Sequence, residues 1–285
     1  MNDIPLIPVD CQWLTLRNWF AAGKSQDLGP TVSSTIGSVA KLIKEDGYNS
    51  ELIMLYDRGK WRYRPKDKNP EYKANREYDE SFEALWAAMN VLHEQIFPAL
   101  GIKCIQVSGV EADDLGYYYA HSGRPVMLHS RDRDWYLSIN ENTCVLNPDD
   151  GLVDLPWLMK TYDLDDHKDY LIYKAIVGDG SDNIPGVATG LSTVKEAINA
   201  YKDGSLSQSV EFRIRSNMEL MRLDRILTDT EVHSIIKEQE SKVQMQQRIL
   251  PTLEEFCPGF RFPPYFHGVL GKYNRSVTAK ILESA

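Results

Sequence analysis

Residues 103–129 read KCIQVSGVEADDLGYYYAHSGRPVMLH, and the fold follows from this stretch. Residues 103–107 form a short apolar strand, 111–120 carry a helical pattern, and 125–129 form a second short strand. The same alternation runs outward in both directions. Residues 4–9 and 51–56 (ELIMLY) read as strands, and 143–146 as another. Residues 13–22 are helical in pattern and stop at Gly23. Residues 31–45 place Val32, Ile36, Val39, Leu42 and Ile43 three to four apart, with Gly47 as a stop. Residues 81–96 predict an amphipathic helix broken before Pro98. Strands separated by helices imply α/β architecture, with a parallel sheet covered on both faces.

Beyond residue 150 the pattern changes. Residues 155–162, 167–177, 193–201 and 210–227 are helical in pattern, with no convincing strand between them. The expected division is an α/β core over residues 1–150 and a helical region over 151–285. Residues 250–285 are rich in Pro and aromatics and take no assignment.

The chain has 285 residues, 42% apolar and 26% charged, which is ordinary for a folded globular protein and excludes the disordered and collagen classes. Its longest uncharged run, 28–40, is too short and too polar to span a bilayer. The start, MNDIPLIPVD, lacks the basic residues and apolar run of a secretory signal, so a cytoplasmic protein is expected, with no membrane partner. Cys11, Cys104, Cys144 and Cys257 are scattered without a C-x-x-C and read as reduced thiols.

Acids recur where strands end or helices begin. Asp10 follows the first strand and Asp57 the second. Glu111, Asp113 and Asp114 follow the third in GVEADD, and Asp132 and Asp134 the fourth in SRDRDW. Asp179 and Asp182 lie in GDGSDN, between two predicted helices. Singly, each suits a helix N-cap or a turn. Together, in a parallel sheet, they converge on one edge, where ligands sit. Clustered like charges repel unless cations bind or protons are retained. Oxygen ligands suit hard cations such as Mg²⁺ or Mn²⁺. Two such ions about 3.5–4 Å apart can activate a water and stabilise the leaving oxygen of a phosphodiester. No competing motif is present: His93-Glu94 has no second His at position 97, and the six histidines show no ligand spacing.

The net charge of −9 at first argues against a nucleic-acid partner. Setting those nine acids aside leaves 32 acids against 32 Lys and Arg, a neutral remainder. Residues 58–76, RGKWRYRPKDKNPEYKANR, carry eight Lys/Arg against two acids, with Trp61, Tyr63 and Tyr72 interleaved. Cations for phosphates and rings for bases are what a nucleic-acid strand needs, and Arg58, Lys60, Arg62 and Tyr72 are the candidate contacts.

Five blocks, VD at 9–10, YDRGKWRYRPKDKNPEYKANR at 56–76, GVEADD at 109–114, SRDRDW at 130–135 and KAIVGDGSDNIPGV at 174–187, resemble the phage and bacterial 5′ nuclease family of flap endonucleases and 5′→3′ exonucleases. The resemblance implies a PIN-like core followed by a helix–three-turn–helix DNA-binding unit. It implies Asp10, Asp57, Glu111, Asp113 and Asp114 as a first metal site. Asp132, Asp134, Asp179 and Asp182 would form or support a second. Two Mg²⁺ ions, replaceable by Mn²⁺, are the implied cofactors. Lys73 and Arg76 match the family's basic residues at the scissile phosphate. The family hairpin reads like GVxGIG, whereas here GVATGLSTVK carries one extra residue, Ser192 for a glycine and a displaced Lys195. Gly186, Gly190 and the following amides would meet a phosphate, Lys195 a duplex phosphate, and hairpin carbonyls a K⁺ ion. The implied partner is DNA with a 5′ flap, nick or 5′ end, or an RNA–DNA hybrid, bound by a monomer in phage replication or recombination. Two other readings remain open to the sequence: a non-catalytic DNA-binding module and a PIN-type ribonuclease. Arg131 and Arg133 are expected to balance the acids they flank. Whether residues 60–85 form an ordered arch is left open.

Overall fold

The computed structural model describes residues 4–46, 49–76, 79–242, 268–269 and 272–273. β1 (Leu6–Asp10) leads directly into α1 (Cys11–Ala21), and α2 (Leu28–Glu45) returns to β2 (Glu51–Tyr56). After a loop, α3 (Phe82–Val91) continues through a π-turn (Leu92–Ile96) into the single turn α4 (Phe97–Ala99). The break predicted before Pro98 is therefore a widened turn. Pro98 has no N–H to donate and its ring crowds the preceding turn, and the π geometry makes room for it. β3 (Lys103–Gln106), α5 (Ala112–Ala120) and β4 (Val126–His129) form the crossover expected from residues 103–129. A 3₁₀ turn (Arg133–Ser138) leads to β5 (Thr143–Asn147) and β6 (Gly151–Val153).

The six strands lie in the order β3-β2-β1-β4-β5-β6. Every pairing from β3 to β5 is parallel, and only β6 runs antiparallel, against β5. β6 escapes pattern reading because it has three residues and exposes two of them. The sheet is apolar on both faces, as a doubly covered sheet requires. Ile7, Val9, Leu52 and Met54 pack with α1, α2 and α3. Leu6, Ile53, Leu55, Ile105, Leu128 and Val145 pack on the opposite side with α5 and the later helices.

Among the described residues, every element after Val153 is helical: α6 (Leu155–Tyr162), α7 (Asp169–Val177), α8 (Val194–Asp203), α9 (Gln208–Met221), a 3₁₀ turn (Asp224–Thr228) and α10 (Thr230–Lys242). α9 stops where Arg222 turns extended, earlier than the pattern suggested. α10 was not legible because it is mostly polar, anchored by buried Val232 and Ile236. It closes the open edge of β3: the Gln239 side-chain amide accepts from the Gln106 N–H and donates to its C=O, both at 2.9 Å. Between α7 and α8, Gly178 (φ +81°) and Gly186 press backbone against backbone. A Cβ on Gly178 would lie 2.4 Å from Gly186 N. Most of residues 250–285, with Cys257, fall outside the described residues. Tyr273 is buried there and accepts a hydrogen bond from Leu52 N at 2.8 Å. Cys11, Cys104 and Cys144 are free thiols. No helix of the described residues is long and apolar enough to cross a membrane.

Candidate active site

Parallel strands deliver their carboxyl ends to one edge, and the acids gather there. Asp10 closes β1 and caps α1, accepting from Trp13 N at 2.9 Å and from the Ser130 hydroxyl at 2.8 Å. Asp57 follows β2 and accepts from Ala112 N at 2.6 Å, which ties it to the start of α5. Glu111, Asp113 and Asp114 begin α5, and each can place an oxygen within 4.8 Å of the others, close enough for one cation. Asp132 caps the 3₁₀ turn after β4 by accepting from Asp134 N at 2.9 Å. Asp179 accepts from the Ser181 hydroxyl at 2.6 Å.

The nine acids form one electrostatic unit. Burial pushes Asp10 up to about 7, with Asp57 and Asp132 adding repulsion. Burial pushes Asp57 up to about 6, with Glu111 and Asp113 adding to it and Lys73 opposing. Burial also raises Asp114, against the pull of Arg64. The protein packed around Asp132 raises it too, although solvent reaches its side chain, and Asp182 reinforces this while Lys174 opposes. At Asp179 burial acts upward but is outweighed by Ser181 and Lys174, and its pKa falls. Carboxyls that resist losing their protons are short of positive charge. Asp114 Oδ1 is buried with no hydrogen-bond partner, an uncommon and costly state. The all-oxygen donor set, the repulsion and the orphaned oxygen fit a hard divalent cation.

The stretch 58–76 folds as turns that bind both regions. Lys73 (φ +55°) donates its N–H to Asp182 O at 2.9 Å, and Asn183 donates to Glu71 O at 2.9 Å. The Lys73 ammonium contacts Glu111 and lies 3.5 Å from Asp182. Burial works against its charge, but Glu111 and Asp182 outweigh burial and raise its pKa. Arg76 reaches Asp182 at 2.7 Å. Lys73 and Arg76 therefore join the acids, Lys73 between the two groups of carboxylates and Arg76 against Asp182 of the second.

Several expected nucleic-acid contacts have other partners. The Tyr72 ring is buried, only 4% exposed, and offers no face to a base; its hydroxyl lies 3.1 Å from both Glu111 and Asp182. Arg62 grips Asp229 at 2.6 and 2.9 Å and Glu231 at 2.7 Å, fastening the loop to α10. Lys195 pairs with Asp163 and Asp165, each at 2.9 Å. Gly190 (φ +77°) is open, but the Ser192 and Thr193 amides after it both donate to Glu196 at 3.1 Å. The capping box of α8 has taken them, because Thr193-x-x-Glu196 completes that pattern. Gly186 is set by backbone packing. Arg58 is exposed and bonds Gln106 at 3.0 Å, and Lys60 lies over the Trp61 ring at 4.7 Å. Arg131 and Arg133 pair with Asp149 and Asp150 instead of the site acids.

Three site residues escaped the sequence reading. Arg64 is 1% exposed and holds Asp114 at 2.8 Å and Glu111 at 3.2 Å, while bonding Leu220 O at 2.8 Å. Lys174 contacts Asp134 and lies 2.9 Å from Asp179. Ser130 joins Asp10 to the turn at Asp132, whose N–H it accepts at 3.0 Å. All three lay inside quoted blocks, but a single sequence does not separate a buried cation from a solvated one.

A family model described as the 5′-3′ exonuclease, N-terminal resolvase-like domain matches residues 5–167. The thermostable DNA polymerase I of Thermus thermophilus is 31% identical over 244 residues, 78% of this chain but 28% of that polymerase. The chain thus spans under a third of its polymerase relatives. The 5′-3′ exonuclease of Buchnera aphidicola subsp. Schizaphis graminum is 28% identical over 274 residues, 88% of this chain and 90% of that protein. Among solved structures, the bacteriophage T5 D15 flap endonuclease, in a complex with DNA and metal ions, has a TM-score of 0.57 at 22% identity, covering 94% of this chain and 99% of that one. That likeness carries the fold, a PIN-like core with helices after it.

Proposed function

Because this chain belongs to the 5′-3′ exonuclease family, we propose that it is a divalent-metal-dependent 5′ nuclease, hydrolysing DNA phosphodiesters at 5′ ends or 5′-flap junctions. The observation that carries this reading is the unit of nine carboxylates at one sheet edge, with Asp10 and Asp57 pushed up and Asp114 Oδ1 unpartnered. Asp10, Asp57, Glu111, Asp113 and Asp114 would hold one Mg²⁺, and Asp132, Asp134, Asp179 and Asp182 would hold or support another, with Mn²⁺ as substitute. Such ions lower the pKa of water and neutralise charge on a leaving oxygen.

The chain's own residues do the rest. Lys73 stands between the two carboxylate groups and Arg76 against Asp182, where a cation stabilises charge developing on the scissile phosphate. Tyr72 spans Glu111 and Asp182 and holds their spacing. Arg64 and Ser130 fix the rotamers of Asp114 and Asp10. Arg58 is exposed to a phosphate backbone, whereas Lys60 would give up its bond to Tyr72 O, and Arg62 and Lys195 their carboxylate partners, for phosphates on binding. The helical region, residues 151–285, would grip duplex through backbone phosphates, with Gly186 and Gly190 shaping a hairpin that could also seat K⁺. Binding is then salt-sensitive and weakly sequence-dependent. We place the enzyme in the cytoplasm as a monomer serving DNA replication or recombination, in the phage manner.

The test is a 5′-labelled flap duplex incubated with and without Mg²⁺, with the products sized. A flap-length product only with Mg²⁺ supports structure-specific endonuclease action, and mononucleotides shift the assignment to exonuclease. Cleavage that survives a chelator would refute the metal dependence.

A further inference from the structure

Lys174 lies in the last turn of α7, and only 9% of its side chain meets solvent. Its ammonium contacts Asp134, from the 3₁₀ turn after β4, and lies 2.9 Å from Asp179, in the loop after α7. It also lowers the repulsion felt by Asp132. One positive group therefore sits where carboxylates from two separate elements converge, which is the seat a divalent ion would take. Both acid groups hold contact cations, Arg64 and Lys73 against Glu111 and Asp114 in the first and Lys174, Lys73 and Arg76 in the second. Asp10 and Asp57 are held by a hydroxyl and by backbone N–H groups. Asp134, Asp179 and Asp182 are all in ion-pair contact with a lysine or arginine.

We propose that Lys174 is a built-in counter-cation for the Asp134–Asp179 pair, so that the divalent ion of the second group binds in competition with its ammonium. This rests on the metal-site reading above. Without metal the lysine keeps two half-buried acids compensated and the turn after β4 joined to α7. With metal it must yield, and the second ion binds more weakly than it would without the lysine. The lysine thus sets the Mg²⁺ concentration at which the site is complete, and acts as a positioning residue.

The test is calorimetric titration of Mn²⁺ into the DNA-free full chain, as wild type, Lys174→Met and Lys174→Arg. Methionine keeps the apolar stem and removes the charge. Wild type is expected to show a tight and a weak phase, with the weak phase tightened about tenfold or more in Lys174→Met, because a like charge at contact distance has been removed. Metal-free Lys174→Met should melt below wild type and gain more from Mn²⁺. Lys174→Arg keeps the charge and should keep the weak phase, which leaves a readable variant if Lys174→Met fails to fold. A weak phase unchanged or weakened in Lys174→Met, or tightened in Lys174→Arg, overturns the counter-cation role. Absence of any Mn²⁺ binding in wild type instead overturns the metal-site reading itself.

Discussion

Replacing Arg64 with methionine removes the one guanidinium that holds Asp114 and Glu111 from within the core. The side chain is 1% exposed and lies 2.8 Å from Asp114, 3.2 Å from Glu111 and 2.8 Å from Leu220 O. Methionine fills much of the same volume, so packing changes little and charge dominates. Breaking a buried ion pair on one side costs about 3–5 kcal/mol, because the remaining charge is stranded. The lost bond to Leu220 O adds about 1 kcal/mol. About 4–6 kcal/mol in total is about 8–24 °C in Tm for a chain of this size, from a stability of about 5–15 kcal/mol. Asp114 is already raised by burial and would rise further, so it can escape the cost by protonation. An acid whose folded pKa lies above its unfolded value destabilises increasingly as pH rises toward the folded pKa. The loss should therefore be larger at pH 8 than at pH 5. Saturating Mg²⁺ should shrink it, since a bound cation compensates the same two acids. Calorimetric melts of both proteins, at both pH values and with and without Mg²⁺, read all of this. An Arg64→Met protein within about 1 kcal/mol of wild type at pH 8 would refute the reasoning.

Two further outcomes follow from the same site. Asp10 and Asp57 are raised to about 7 and about 6, so the metal-free protein should lose stability as pH rises from about 4 through 7. Mg²⁺ should flatten that slope by taking the place of the protons, and a Tm–pH series in chelator and in Mg²⁺ would show it. Lys73→Ala should slow single-turnover cleavage by about a hundredfold or more while weakening junction binding much less, since its ammonium sits among the candidate metal-binding acids and not on the outer surface. An equal loss in rate and binding would make it an ordinary phosphate contact.

The parallel sheet was legible because its strands are short apolar runs that end in acids, and because residues 103–129 hold a complete crossover. β6 and α10 were not: one has three residues, two of them exposed, and the other is mostly polar and held by two buried side chains and the pairing of Gln239 with Gln106. The carboxylates could be found from their positions at strand ends, which a parallel sheet brings together whatever lies between. The cations could not: Lys73 and Arg76 came only with the family resemblance, and Arg64 and Lys174 not at all. Arg64 and Arg62 stand two apart in one basic run, yet one is buried under α5 and the other is fastened to α10. Charge patterning reports how many cations there are, whereas burial decides which phosphate or carboxylate each can reach. Tyr72 shows the same limit: an aromatic among lysines suggests stacking, but the ring is buried and its hydroxyl spans two acids.

The central claim is that the carboxylates at the sheet edge hold the ions that drive hydrolysis and are not needed to grip DNA. The most direct measurement is single-turnover cleavage of a 5′-flap duplex in Mg²⁺ by wild type, Asp113→Asn and Asp134→Asn, with binding followed by fluorescence anisotropy on the same duplex. The account expects each substitution to cut the rate by at least about a hundredfold while Kd stays within about threefold. Turnover equal to wild type in either variant would contradict it.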